Sequence, residues 1–581
     1  DQGKEPKAKY RQWLGNVMFS YATGTGAVSE HGVGTRPWKS AWTTSSADSR
    51  KVTRSADGKT ITVTYKPSSD ANGIKKFTFT ETYRLAADGS LTWQQKVTNT
   101  SGQRLVIGDW GVPLPDNELW KGGDEIYETR VLSHSYVGKN GSYVTIGRPS
   151  GQGPSLLFTP DTATGSGFEY QDRWRTEEVG NTPWAWNQDH EGSNIKGLNV
   201  YYVHSKAIQK TNRGYLPSTS LSLSRGASRT YTFHIGKVNS DQDVKDSLYH
   251  QGLLDTTVVP GMVVPYDQTA QVALRVKGTI DSIAAKNEND SKHKSPTDPK
   301  VTFSRTNGQY HIYKVRFDST QTGNNQLTVR YTDSGGRART SVLQFDVIGK
   351  VSDLLDSHAK FVVDKTQWNT SDGITKDDVR YKTFDDWMMN AADGSVPTRS
   401  KPPAGRRDDY AGYWGLGDDW GLTHGQFLSA KLIARPDATQ AKALDDYLEK
   451  AVWEHLMGNT AHEKDPSYLV HDFWDKGHPG SQNTTPTYRG YAYPHVYNTY
   501  FGMYQIEKQN PDLIDYAHSA KWYLSTAYHI FKELYDGPVY YNWETGLMGE
   551  LTTPALITAL RAEGMDDYAD DVEAKMATKY A

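Results

Sequence analysis

Apolar and polar residues alternate with period two along the chain up to about Gly349, and the period becomes helical after Val351. Thr60–Tyr65 reads TITVTY, Phe77–Leu85 reads FTFTETYRL and Leu91–Val97 reads LTWQQKV. Each is the pattern of a strand with one buried face. Asp57-Gly58 and Asp88-Gly89 mark hairpin turns, because glycine accepts the positive φ that a tight turn demands. Ser220–Phe233 (SLSLSRGASRTYTF) predicts one more hairpin. Together these elements, from Asn16 to about Gly236, predict a large antiparallel β-sandwich, assigned to residues 1–255.

A second β-domain is expected over 256–350, with strands at Gln271–Val276, His311–Phe317, Gln326–Tyr331 and Ser341–Val347. Asp333-Ser334-Gly335-Gly336 joins the last two. It reads as a small Ig-like spacer, and Lys286–Lys300 (KNENDSKHKSPTDPK) reads as a mobile loop within it. From Val351 onward, Asp437 caps a helix whose Ala441, Leu444, Leu448, Ala451, Val452 and Leu456 form one apolar stripe. Asn510-Pro511 is expected to start another, with Leu513, Ala517, Ala520, Leu524 and Phe531 facing inward. Thr553-Pro554 starts a third, stopped at Gly564. About eight helices joined by long loops predict an (α/α) barrel over 351–581. About four helical hairpins fall short of the roughly six of a closed toroid. The expectation is therefore a barrel incomplete in this chain, finished by a second polypeptide or a missing segment. The fold class is multidomain α+β.

Composition narrows the function. The 581 residues carry 65 basic and 68 acidic side chains, a net charge of −3, without the basic face that nucleic acid or an anionic membrane would require. No apolar run is long enough to span a bilayer. There are no cysteines, which removes thiolate nucleophiles, CxxC zinc sites and disulfides. Aromatic residues make up 12%, with 17 Trp and 36 Tyr, a richness common where flat apolar faces stack on sugar rings. A secreted protein acting on carbohydrate is expected. Signatures of serine hydrolases, phosphate loops and dinucleotide folds are absent.

Candidate chemistry gathers in four clusters of the helical part. Thr487–Tyr504 (TYRGYAYPHVYNTYFGMY) holds Tyr488, Arg489, His495 and Asn498. A helix beginning at Pro494 places His495, Asn498 and Gly502 on one face. Such a start, fed by a Tyr-Arg loop, suits a site that binds an anion and moves protons. The alternative is an aromatic helix packed in a bundle. Tyr413–His424 (YWGLGDDWGLTH) offers Trp414, Asp418, Asp419 and His424. Adjacent carboxylates there can bind sugar hydroxyls, a structural calcium ion or a nucleophilic water, or merely favour a helix N-terminus. Val470–His478 (VHDFWDKGH) offers His471, Asp472 and Trp474, without the spacing of a zinc site. Tyr540–Glu550 (YYNWETGLMGE) offers Trp543 and Glu544, a sugar platform beside a carboxylate. No metal ligand set and no required cofactor are expected. In the sandwich, Trp174, Arg175, Trp184, Trp186 and His190 can line a sugar cleft or anchor a loop.

The run Glu81–Pro115, ETYRLAADGSLTWQQKVTNTSGQRLVIGDWGVPLP, resembles the galactose-mutarotase-like sandwich found beside helical barrels in many sugar enzymes. The order sandwich, spacer, helical barrel resembles carbohydrate-active enzymes that pair a β-sandwich with an (α/α) toroid. That resemblance implies a polysaccharide lyase or a glycoside hydrolase. Toroid lyases neutralise a uronate carboxylate with Asn or Arg and use His and Tyr as base and acid. Tyr488, Arg489, His495 and Asn498 supply those residue types. Enzymes that release rhamnose-capped glucuronate from gum arabic and arabinogalactan are one such kind. A hydrolase would instead need two carboxyl groups, such as Asp418 or Asp419 with Glu544 or Asp472. A non-catalytic glycan-binding protein is the third reading. The lyase is favoured, with a polysaccharide or oligosaccharide as partner.

Overall fold

The structure is a computed structural model and describes residues 17–44, 47–114, 132–148, 150–173, 199–209, 214–288, 297–378, 380–384, 419–470, 490, 492–537 and 547–580. The chain is mixed α+β and divides into two compact units, Asp1–Lys350 and Val351–Ala581. Among the described residues there are eight α-helices.

The first unit contains two layers that pack face to face. One is a six-stranded sheet in which Leu105–Leu114 lies between Met18–Thr23 and Asn199–Ser205. The other is an eight-stranded antiparallel sheet whose centre is Phe77–Leu85, Leu91–Asn99 and Ser228–Val238. The alternation predicted for Phe77–Leu85 appears as Phe77, Phe79 and Glu81 turned inward. Phe19 and Trp110 of the first sheet meet Phe79 of the second at ring separations of 5.0 and 6.2 Å, edge to face. Such pairs add to the burial of aromatic area that holds the layers together. Gly58 and Gly89 take φ of 71° and 82° in the predicted turns.

One predicted hairpin is corrected. Leu221–Leu223 pairs with Leu105–Ile107 in the first sheet, whereas Ser228–Val238 belongs to the second. The run Ser220–Phe233 is an arch between layers. Its Leu223 and Phe233 enter the shared core from opposite sheets.

Two four-stranded sheets follow, built around Thr269–Arg275 with Tyr310–Arg316, and Gly323–Asp333 with Ala338–Ile348. They enclose a separate core including Leu274, Val315, Tyr331 and Phe345. Val263–Pro265 joins the second of these sheets in parallel. Of the Lys286–Lys300 run, Lys286 and Asn287 end a strand and Lys300 begins one. Positions 289–296 lie outside the described residues.

The second unit is helical. Helices α1 (Val351–Phe361), α2 (Asp419–Ala434), α3 (Ala438–Asp446), α4 (Ala492–Gln509), α5 (Ala520–Asp536), α6 (Thr553–Ala562) and α7 (Asp566–Tyr580) share one core. Asp437 caps α3 by accepting from the Gln440 amide at 2.9 Å. The helix continues as a π-helical segment, Tyr447–Leu456, and the apolar stripe from Ala441 to Leu456 is buried. Pro554 lies in the first turn of α6, and Gly564 has φ of 71°. The helix expected at Asn510-Pro511 begins later. Ser519 is its N-cap and 510–518 form turns. Asn510 instead closes α4, its side-chain amide donating to the Ile506 carbonyl.

Candidate functional site

Helix α4 organises the second unit, since Ala492 through Tyr504 are buried without a break. It starts at Ala492, two residues before Pro494, which therefore occupies its first turn. A helix buried on all sides normally uses aliphatic residues. This one uses tyrosines that fill volume, and three of them also bond their hydroxyls. Tyr500 donates to the Leu448 carbonyl at 3.1 Å, Tyr504 donates to Glu563 at 3.1 Å, and the Tyr493 hydroxyl accepts from the Val470 amide. On one flank, Tyr497 meets Phe531 of α5 at 5.6 Å. On another, Gly502 lies against α2, where a Cβ at that position would sit 2.6 Å from the Ser429 Cβ. Glycine is required there for the two helices to approach so closely.

That approach brings Gln426 of α2 to His495 of α4, with Nδ1 of the imidazole 2.5 Å from the Gln426 Oε1. An amide oxygen can only accept, so Nδ1 carries the proton and Nε2 keeps its lone pair. Nε2 is buried and has no hydrogen-bond partner among the described residues. Burial lowers His495 to about 4, because the charged imidazolium would lose its hydration. The ring is therefore neutral near pH 7, oriented from one side and open to a proton at the other.

Asn498 lies one turn further along the same face. Its amide donates to the Gly549 carbonyl at 3.0 Å and its carbonyl accepts from the Thr552 hydroxyl. The turn 547–552 is thereby pinned over the start of α4. Gly549 has φ of 92°, and a Cβ there would fall 2.7 Å from the Asn498 amide nitrogen, 3.4 Å from that of Gln426 and 3.5 Å from Pro494. Glu550, in the same turn, accepts from the Leu547 amide and from Tyr535, and is ion-paired with Lys579 of α7. A buried carboxylate with three donors fixes the turn rigidly.

His424 is also on α2, two residues from Gln426, and such positions do not share a helix face. It packs near His358 and Phe384, at ring separations of 6.3 and 6.4 Å. The structure thus brings together His495 and Asn498 and does not bring His424 to them. Tyr488, Arg489, Trp414, Asp418, His471, Asp472, Trp474, Trp543 and Glu544 lie outside the described residues, as do Trp174, Arg175, Trp184, Trp186 and His190. Asp419 opens α2, and its side chain is outside them too. Among the described residues no group of three His, Asp or Glu side chains could hold a metal ion. The calcium expectation rests on Asp418 and Asp419.

Sequence reasoning missed Gln426, Gly549 and Thr552. Gln426 falls two residues beyond the end of the second cluster, whereas Gly549 and Glu550 end the fourth. The tail of that fourth cluster does meet Pro494 and Asn498 of the first.

The sequence matches the family of unknown function DUF5695 over residues 20–581. The chain belongs to that family. No curated protein is matched. The fold is similar to that of a solved polysaccharide lyase, BACCELL_00875, with TM-score 0.65 and 16% identity over 97% of this chain and 68% of the other. That likeness establishes a shared fold. A match to Astrotactin-2, a vertebrate perforin-like membrane protein, has TM-score 0.14 and 9% identity over 59% of this chain and 72% of that one, and carries no argument. Among the described residues no helix is long and apolar enough to cross a membrane.

Proposed function

We propose that this DUF5695 member is a secreted polysaccharide lyase that cleaves a uronic-acid-containing glycan by β-elimination. The observation that carries the reading is His495: buried, neutral, held through Nδ1 by Gln426, with its Nε2 lone pair unused among the described residues. Elimination needs such a group to remove the proton at C5 of the uronate. The likeness in fold to a polysaccharide lyase supports the same reaction class.

In this reading His495 and Tyr488 are the proton-transfer pair, taking the C5 proton and protonating the leaving oxygen. Electrons from the C5–H bond form the C4–C5 double bond as the C4–O bond breaks. The C5 anion is tolerable only if the adjacent carboxylate is neutralised. Arg489 supplies a permanent, bidentate positive charge for that purpose. Asn498 has one amide proton beyond the one given to Gly549, and it can strengthen its hold as the enolate forms. A group with a pKa near 4 is a weak base. The Arg489 charge on the carboxylate compensates by making the C5 proton more acidic.

Trp414, Asp418, Asp419, His424, His471, Asp472, Trp474, Trp543 and Glu544 are assigned to sugar binding. The sandwich is read as galactose-mutarotase-like, the second β-part as Ig-like and the helices as part of an (α/α) toroid. Rhamnose-capped glucuronate of the arabinogalactan type is the substrate class to try first. Screening uronic-acid polysaccharides for the ultraviolet absorbance of an unsaturated uronate tests the proposal. New reducing ends without that absorbance would indicate hydrolysis by paired carboxylates instead.

A further inference from the structure

The first unit holds a cavity of about 600 Å³ whose lining includes Arg36, Lys39 and Lys76 and, among the described residues, contains no carboxylate. In a chain with 68 acidic and 65 basic residues, three cations around one hollow without a counter-charge are not an average sample of the surface. Among the described residues no acidic side chain forms an ion pair with any of the three. Arg36 is held in place. Its Nη1 donates to the Thr23 carbonyl at 2.7 Å and lies 3.3 Å from the Gln103 amide oxygen. Gly24 makes room for it, since a Cβ there would overlap the guanidinium at 1.6 Å. One cation is therefore pre-positioned by the backbone, and two lysines are free to close on a ligand. Thr35 in the lining adds a hydroxyl group suited to a sugar hydroxyl.

We infer that this cavity is a binding site for an anionic saccharide, separate from the helical residues given to catalysis. The inference rests on the proposed function for its choice of a glycan ligand, and on the cavity itself for the charge. A neutral sugar would leave three cations unused. A uronate or a sulfate ester presents the oxygen acceptors that Arg36, Lys39 and Lys76 call for. A glycan retained there would raise the local concentration of chain ends offered to the catalytic unit.

The test uses the full chain carrying His495→Ala, so that bound glycan is not consumed, with and without Lys39→Ala and Lys76→Ala together. Probes are oligogalacturonate, its carboxyl-reduced form and a sulfated galactan oligosaccharide, measured by calorimetry at low salt. Saturable binding of either acidic probe, at least about tenfold weaker in the double-lysine variant and weakened by salt, is the expected result. Which of the two binds identifies carboxylate or sulfate as the anion. Equal binding of the carboxyl-reduced form, unchanged affinity in the double-lysine variant, or no binding of any probe would overturn the inference. Both lysines are exposed, so the melting temperature should not move, which separates lost binding from lost folding. Uronate cleavage together with unchanged binding in the lysine variant would sink this site alone. Lysine-dependent binding without cleavage of any uronate glycan would sink the lyase reading alone.

Discussion

His495 and Gln426 meet across two helices, Nδ1 to Oε1 at 2.5 Å, and this contact decides which imidazole nitrogen is available for chemistry. Replacing Gln426 by Leu removes the acceptor and should lower kcat by about two orders of magnitude if His495 is the base. Gln426→Glu should do something different. A carboxylate beside the ring favours imidazolium, so the acidic limb of the pH–rate profile should move upward. A merely structural glutamine would leave the profile's midpoint unchanged.

The buried imidazole also links stability to pH. His495 is lowered to about 4 in the fold, against about 6.5 when unfolded. Between those values the unfolded chain binds more protons, so stability rises with pH and is lost as pH falls from about 6.5 to about 4. The difference is on the order of 3 kcal/mol. Thermal melts across that window should show a smaller acid loss for His495→Gln than for the wild type.

Close packing at two glycines sets the geometry. Gly549→Ala must push against Asn498 and hold a positive φ, at a cost of about 1–3 kcal/mol, and should reduce turnover by displacing the turn 547–552. Gly502→Val should separate α2 from α4, costing about 1–3 kcal/mol and disrupting the Gln426–His495 contact. Denaturant melts check the stability and steady-state kinetics check the rest.

Much of the architecture was legible because period alone distinguishes strands from helices. Asp437, Thr553-Pro554 and the two Asp-Gly turns carry local chemistry strong enough to place element ends. Ser220–Phe233 misled because adjacent strand patterns do not say whether both strands share a sheet. Asn510-Pro511 misled because a good cap competes with turn formation, and Ser519 captured the helix instead. At the site, the shared face of His495 and Asn498 could be read from helical spacing. Gln426 could not, since its role depends on how closely Gly502 lets two helices approach.

Catalytic assignments separate by mutation. His495→Ala and Tyr488→Phe should each lower turnover by about two to four orders of magnitude, while Asp418→Asn mainly weakens binding. Loss of turnover in Asp418→Asn or Glu544→Gln, with near-normal rates in the other two, would favour the hydrolase reading.

The most direct measurement of the central claim is cleavage of a uronate glycan in water enriched in heavy oxygen, with the products weighed. β-Elimination predicts an unsaturated uronate end and no oxygen taken from solvent, both lost in His495→Ala. A product that gains one solvent oxygen and carries no double bond would contradict it.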